Sequence, residues 1–446
     1  MALAAAMEGT KMAVIRQRLE GLDILSQPPK SEGNLRKPII RLDDGLVLDS
    51  RTMEMGTLLV GPPGCGKTHL LFQVVEGILP QVAAGDANLF LLDVKGEFRK
   101  RFGSFPGALQ ISASDTSNPA ACWNLFREVE AAKNAEVVAR DIAKDLTKTQ
   151  RSELQPFWEN AANDILFSTI QCMDAKRRQT GDFYGNWHLT DFLKHVSPRR
   201  DAELNWYDLA AKEPRFFGHI PDYLGDELGQ GFGIISELRV LFHNAFWGSF
   251  NTPNGHFSCI ETVRTGGHLV IISIDHANES EGSRTVIQTM LHLLQKHSTD
   301  PDNKCRNYHI LDEGSAVGLS GTADALSLGR AAGMVLWLSV QNLDLLAMRM
   351  KKEEQEALLS LFGNLMIMNA QDHLSRKLLA ERYGEALTSW AFTGPMQKSM
   401  SHVGYRPVVA DSDFAQLVRK GDALCSFPRL SNQPFYYNGY RKELDK

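Results

Sequence analysis

Thr57-Leu58-Leu59-Val60-Gly61-Pro62-Pro63-Gly64-Cys65-Gly66-Lys67-Thr68-His69-Leu70-Leu71-Phe72-Gln73-Val74-Val75 decides the fold. A short apolar run enters, a glycine-rich loop follows, and a helical pattern leaves. That is the strand–loop–helix setting in which this glycine and lysine spacing makes a phosphate-binding loop. The glycines let successive backbone N–H groups turn inward round phosphate oxygens, as an anion nest at a helix N-terminus. Gly61, Pro62, Pro63, Gly64, Cys65 and Gly66 form the cradle. Lys67 reaches the β- and γ-phosphates, and Thr68 offers its hydroxyl to Mg²⁺. The expected ligand is a nucleoside triphosphate.

The rest of the composition fits an intracellular enzyme. The chain has 446 residues, enough for two or three domains, and its 43% hydrophobic and 23% charged content is ordinary for globular proteins. A net charge of -5 argues against a surface coated in base, so any nucleic-acid contact is expected to use a local channel or loops. Cys65, Cys122, Cys172, Cys259, Cys305 and Cys425 are scattered without a Cys-x-x-Cys pair, and no secretory signal precedes them. This spacing predicts a reducing, cytoplasmic setting and argues against structural zinc. No stretch approaches the roughly 18 apolar residues that a bilayer span requires. The Met1–Met7 run is too short, so the chain is not expected to be a membrane protein by itself.

Residues 1–37 read as a peripheral arm, with a helical patch around Met12–Leu25 and then the polar segment Ser26–Lys37. Ile39–Leu42 and Gly45–Leu48 flank Asp43-Asp44-Gly45 and predict a hairpin. Asn88-Leu89-Phe90-Leu91-Leu92-Asp93 is an apolar strand ending in a carboxylate, and Ala108–Ile111 is another. Strand alternating with helix says α/β with a mostly parallel sheet. From about Leu125 to Phe257 the pattern turns helical, as in Phe157-Trp158…Ala161-Ala162…Ile165-Leu166 and Phe232…Ile235…Leu238…Leu241-Phe242. Strands return at His268–Ile274, Tyr308–Leu311, Val335–Val340 and Leu365–Met368. An all-helical domain, 125–258, is therefore expected as an insertion in a nucleotide-binding domain made of 38–124 and 259–446.

Asp312-Glu313 closes the apolar run His309-Ile310-Leu311. A carboxylate at that strand end can hold Mg²⁺ through water, and the following Glu can take the proton of an attacking water. Asp93 also ends an apolar strand, but without a following Glu; with Lys95 it is expected either to line the nucleotide pocket or to serve a turn. Gln341, after Val335–Val340, can hydrogen-bond the γ-phosphate or its attacking water. Arg330, in Leu328-Gly329-Arg330-Ala331-Ala332-Gly333, is either an arginine finger for a neighbouring subunit or an exposed arginine.

Several of these blocks resemble the coupling ATPases of conjugation and type IV secretion. They are the phosphate loop, Leu91-Leu92-Asp93-Val94-Lys95-Gly96-Glu97, Asn118-Pro119…Trp123-Asn124-Leu125, and Ile310-Leu311-Asp312-Glu313. Ala325–Gly333, Ser339-Val340-Gln341 and Ala380-Glu381-Arg382-Tyr383-Gly384-Glu385 complete the set, in order from about residue 56 onward. The resemblance implies a RecA-like P-loop motor interrupted by an all-helical domain, using ATP and Mg²⁺. It implies a hexameric ATPase that moves DNA, or secreted protein substrates, to a type IV secretion channel alongside relaxosome components. Members usually carry membrane helices ahead of the motor. Here a separate membrane partner could supply the anchor and bring the chain to the inner membrane as a peripheral protein. The Gly-Pro-Pro-Gly-Cys-Gly-Lys-Thr loop also resembles AAA+ remodelling ATPases, and an ATP-binding adaptor that recruits substrates is a third reading.

Overall fold

The computed structural model describes residues 13–30, 35–148, 156–224, 228–274, 281–319, 321–347, 350–370, 372–393 and 400–441. The chain forms two compact units, residues 1–77 with 337–446, and residues 78–336. The borders fall inside the helix Lys67–Ala83 and the strand Val335–Val340. This division differs from the expected one, because Asn88–Asp93 and its neighbouring strands group with the helical segment. The physical reason is packing: the helix Glu281–Ser298, which follows one of those strands, lies against Ala135–Thr147, Leu228–Ala245 and Cys259–Arg264.

Fourteen strands are present among the described residues: β1 (Ala13–Glu20), β2 (Ile39–Arg41), β3 (Val47–Asp49), β4 (Thr57–Val60), β5 (Ala87–Asp93), β6 (Leu109–Ile111) and β7 (Leu269–Ser273); then β8 (Arg306–Leu311), β9 (Val335–Val340), β10 (Asn364–Ile367), β11 (Glu385–Thr393), β12 (Met400–Pro407), β13 (Asp422–Ser426) and β14 (Phe435–Asn438). In the first unit β9, β4 and β10 run parallel, with Thr57 opposite both Trp337 and Asn364. β13 and β14 add antiparallel on the β10 side. The hairpin β2–β3 pairs Ile40 with Leu48, as expected, and turns through Asp44 and Gly45 at positive φ.

β1 corrects the sequence reading. The segment expected to be helical is a strand paired antiparallel with β11, Val14 opposite Phe392 and Arg18 opposite Thr388, and β11 pairs onward with β12. Arg, Gln, Leu and Glu favour helix locally, but a partner strand far along the chain satisfies the backbone here, and tertiary pairing overrides a weak propensity.

In the second unit β6, β7, β5 and β8 are all parallel, with Leu89 opposite Leu269 and Ala87 opposite Arg306. All seven positions of β5 are buried. That is why Ala-Asn-Leu-Phe-Leu-Leu-Asp reads as a continuous apolar run and does not alternate: a parallel strand is covered on both faces. Between Leu125 and Arg264 every described element is helical. No helix among the described residues is long and apolar enough to cross a membrane.

Candidate functional site

The phosphate loop leaves the wholly buried β4, and the N–H of Gly61 donates to the carbonyl of Val340 at the end of β9 (3.2 Å). Gln341 therefore starts beside the loop, half-buried. Gly66 stands at φ +109°, and a Cβ there would lie 3.1 Å from the backbone N of Gly421. Only glycine suits both the left-handed backbone and that approach. Lys67 is 5% exposed, and its ammonium donates to the carbonyls of Gly61 (2.5 Å) and Pro62 (3.2 Å). The loop thus wraps its own cation, where phosphate oxygens are the natural competing acceptors. Thr68 is half-buried in the first turn of the following helix.

The sequence reading missed what braces this loop. The Gly421 N–H donates to the Cys65 carbonyl (2.7 Å), and Gly439 N–H donates to Gly421 O (3.1 Å). Gln73, on the helix after the loop, donates its amide to the Gly439 carbonyl (2.6 Å). The Tyr440 ring lies 5.5 Å from His69 and carries the Lys420 ammonium 4.7 Å above its face. Lys-Gly-Asp at 420–422 looks like any turn, and only its partner at Cys65 shows its use.

In the second unit Asp312 and Glu313 directly follow β8, 2% and 3% exposed. Glu313 adopts φ 52°, ψ 44°, an uncommon left-handed conformation for a residue with a side chain. The Lys95 ammonium donates to its carboxylate at 2.8 Å. Burial works to lower the pKa of Lys95, but the hydrogen bond and charge of Glu313, aided by Asp312 and Glu97, hold it above its ordinary value.

Asp93 is buried at the end of β5, and its carboxylate accepts from the N–H of Arg99 (2.7 Å). Burial pushes its pKa up, against the backbone N–H groups of Arg99, Phe98, Gly96 and Lys95. Of the two expected roles the geometry gives Asp93 the turn, since it organises the start of the helix Glu97–Phe102, and gives Lys95 to Glu313. Arg330 is exposed at the C-terminal end of the helix Thr322–Gly329, and its side chain has no ion-pair partner among the described residues. The Thr68 hydroxyl and the Asp312 carboxylate are hard oxygen donors, the type Mg²⁺ selects. No group of three or more His, Cys, Asp or Glu among the described residues forms a separate metal site.

The model of the type IV secretion-system coupling protein DNA-binding domain matches residues 44–391, and the chain belongs to that family. No curated protein matches it. Among solved structures, it is similar to the bacterial conjugative coupling protein TrwBdeltaN70 in an unbound form. That match has 16% identity over 97% of this chain and 95% of the other, with a TM-score of 0.73. The plasmid coupling protein TrwB with the non-hydrolysable ATP analogue ADPNP matches at 16% identity over 98% and 96%, with a TM-score of 0.71. The same coupling protein with ADP and Mg²⁺ matches at 16% over 97% and 96%, with a TM-score of 0.70. The fold is thus the RecA-like α/β fold of the conjugative coupling proteins.

Proposed function

We propose that this coupling protein hydrolyses ATP and uses the energy to move DNA, independently of sequence, toward a type IV secretion channel. The observation that carries the reading is the phosphate loop closed round a buried Lys67, in a chain that belongs to the coupling-protein family. That solved coupling proteins hold ADPNP, or ADP with Mg²⁺, supports the choice of nucleotide and ion.

In this reading Lys67 neutralises charge on the β- and γ-phosphates, and Thr68 and Asp312 would hold Mg²⁺, whose charge would offset that of the phosphates. Glu313 takes the proton of the attacking water. Lys95 is a positioning residue: its ion pair fixes the carboxylate on a strained backbone. Gln341 orients the water or reports the γ-phosphate, and Arg330 reaches a neighbouring subunit of a homo-oligomer, a hexamer by analogy with its relatives. The helical segment 125–258 is the inserted domain that meets the substrate. The chain works on the cytoplasmic side, attached to the inner membrane through a membrane partner.

The test is ATP turnover with and without single- and double-stranded DNA, repeated across salt concentrations. A motor gripping backbone phosphates shows DNA-stimulated turnover that weakens as salt rises. Turnover indifferent to DNA at every salt concentration sinks the motor and favours the recruitment adaptor.

A further inference from the structure

An open pocket of about 330 Å³ lies within the helical segment, between the helices Asn186–His195 and Leu228–Ala245. Its floor is apolar: Leu193, Phe242 and Phe246 are 3% exposed, and the two phenylalanine rings stack at 4.8 Å and 6°. Its edge carries Trp187, which is 43% exposed. Lys194 and His243 stand exposed beside it, with Arg239 half-buried, and Asp191 is the carboxylate in the lining. Arg239 is a fixed part of the wall, its guanidinium donating to the carbonyls of Leu193 (3.2 Å) and Val196 (2.7 Å) at the end of the first helix. The Thr190 hydroxyl lies 2.9 Å from the Trp187 backbone carbonyl and 2.7 Å from the Asn251 amide oxygen, so its one proton is shared between two acceptors. The His188 ring meets the Trp187 indole edge-on at 5.3 Å.

We propose that this pocket is a subsite for single-stranded DNA, in which one base stacks on Trp187 and the adjoining phosphate is met by Lys194 and His243. The inference rests on the DNA-motor reading and names a place where the strand is gripped. An exposed indole at the mouth of a preformed apolar pocket offers a flat π-face on which a base can stack. Cations around an aromatic platform match the two faces of a nucleotide, a flat π-system and a negative phosphate. Every base has such a face, so the subsite is sequence-tolerant, as a translocating strand requires. The two lysine and arginine charges, with His243 available for a third donor, outweigh the single carboxylate of Asp191. This balance favours an anionic ligand over a basic or purely apolar peptide, and the indole platform beside it suits a nucleotide, which is both flat and anionic.

The experiment measures binding of a fluorescent oligothymidylate to the full chain, with Trp187→Ala, Trp187→Phe and Lys194→Ala compared at several salt concentrations. Alanine removal of a stacking ring is worth about 5- to 150-fold in affinity. Trp187→Ala should fall by that factor, Trp187→Phe by much less, and Lys194→Ala should lower the salt slope by about one ion. Photocrosslinking of wild-type protein to an oligonucleotide carrying 5-bromodeoxyuridine should give an adduct at Trp187, a result that needs no variant to fold. Wild-type affinity in a folded Trp187→Ala, or adducts only at other residues, overturns the subsite while leaving the motor reading in place. Failure of wild-type protein to bind either single- or double-stranded DNA overturns the motor reading and the subsite together. Protection of Trp187 by a secretion-substrate peptide and not by DNA assigns the pocket to protein cargo, and overturns the subsite alone.

Discussion

Glu313 combines two features that are each unfavourable alone, a left-handed backbone and a buried carboxylate, and a partner lysine that half reaches solvent offsets the second. A strained non-glycine conformation costs about 1–3 kcal/mol and persists where the surroundings over-determine it, often at functional sites. Glu313→Gln should bind ATP like wild type and turn it over about 10²–10⁴-fold more slowly, the usual worth of a general base. Unchanged kcat in that variant would end the assignment. Lys95→Met should lower kcat with KM little changed, because it frees the carboxylate without touching the phosphates. A second prediction concerns two histidines. Burial, then the charges of Lys296 and Arg264, lower His297 to about 4, and burial lowers His309 to about 3. Both stay neutral when folded, so their stability is present above the unfolded value of about 6.5 and is lost as pH falls toward the folded values. Buried Asp93 and Glu128, whose pKa values burial raises, work in the opposite sense as pH falls. The measurement is therefore a difference: the stability advantage of wild type over His309→Gln, by urea unfolding, should shrink by about 1 kcal/mol between pH 6.5 and 5.5. An advantage that is flat across that range would mean His309 is charged in the fold. At this scale the sequence placed Lys67, Asp312 and Glu313 at their strand ends and loop, because those ends follow from local pattern. It could not pair Lys95 with Glu313, which lies 218 positions away.

The helical segment is tied at both ends by one carboxylate. Glu128 is fully buried and accepts from the Trp123 indole (2.8 Å), the Ser258 hydroxyl (2.8 Å), and the backbone N–H groups of Cys259 (2.6 Å) and Ile260 (3.0 Å). It so joins the first helix after Asn124 to the N-terminus of the last, Cys259–Arg264, where the helix dipole favours a negative charge. Asn124 and Asn186 add to the seam, with Asn124 donating to Gly255 O (2.8 Å) and Asn186 to Trp123 O (2.8 Å). Glu128→Ala would strand four donors in the interior, at about 3 kcal/mol or more. Urea unfolding should show that loss; a cost under about 1 kcal/mol would mean that water replaces the carboxylate. The helical periodicity was plain in the sequence, as was the return of strands after Phe257. The closing seam was not, since a Glu in Leu-Phe-Arg-Glu-Val-Glu reads as a solvated helix position. The misread element, β1, failed for the same reason: its partner lies at the other end of the chain.

For the whole molecule, Arg330 is the residue that bears on the proposed action of one copy on another. It is exposed on the turn between the helix Thr322–Gly329 and β9, with no ion pair of its own among the described residues. In the proposed oligomer, an exposed arginine with no ion pair among the described residues is suited to meet the γ-phosphate held by its neighbour. An arginine supplied in trans is worth about 10³–10⁵ in rate where it has been measured. Arg330→Ala should therefore bind ATP normally and hydrolyse it poorly, whereas Lys67→Ala should fail at binding because the phosphates lose their main cation. Neither variant should sustain wild-type turnover alone, but a mixture should restore part of the activity, because the intact pocket of an Arg330→Ala subunit then meets the intact arginine of a Lys67→Ala subunit. Turnover per subunit in the wild type should likewise rise with protein concentration across the assembly range. Mixed oligomers verified by mass that show no rescue would return Arg330 to the role of an ordinary surface arginine, and turnover independent of concentration would do the same.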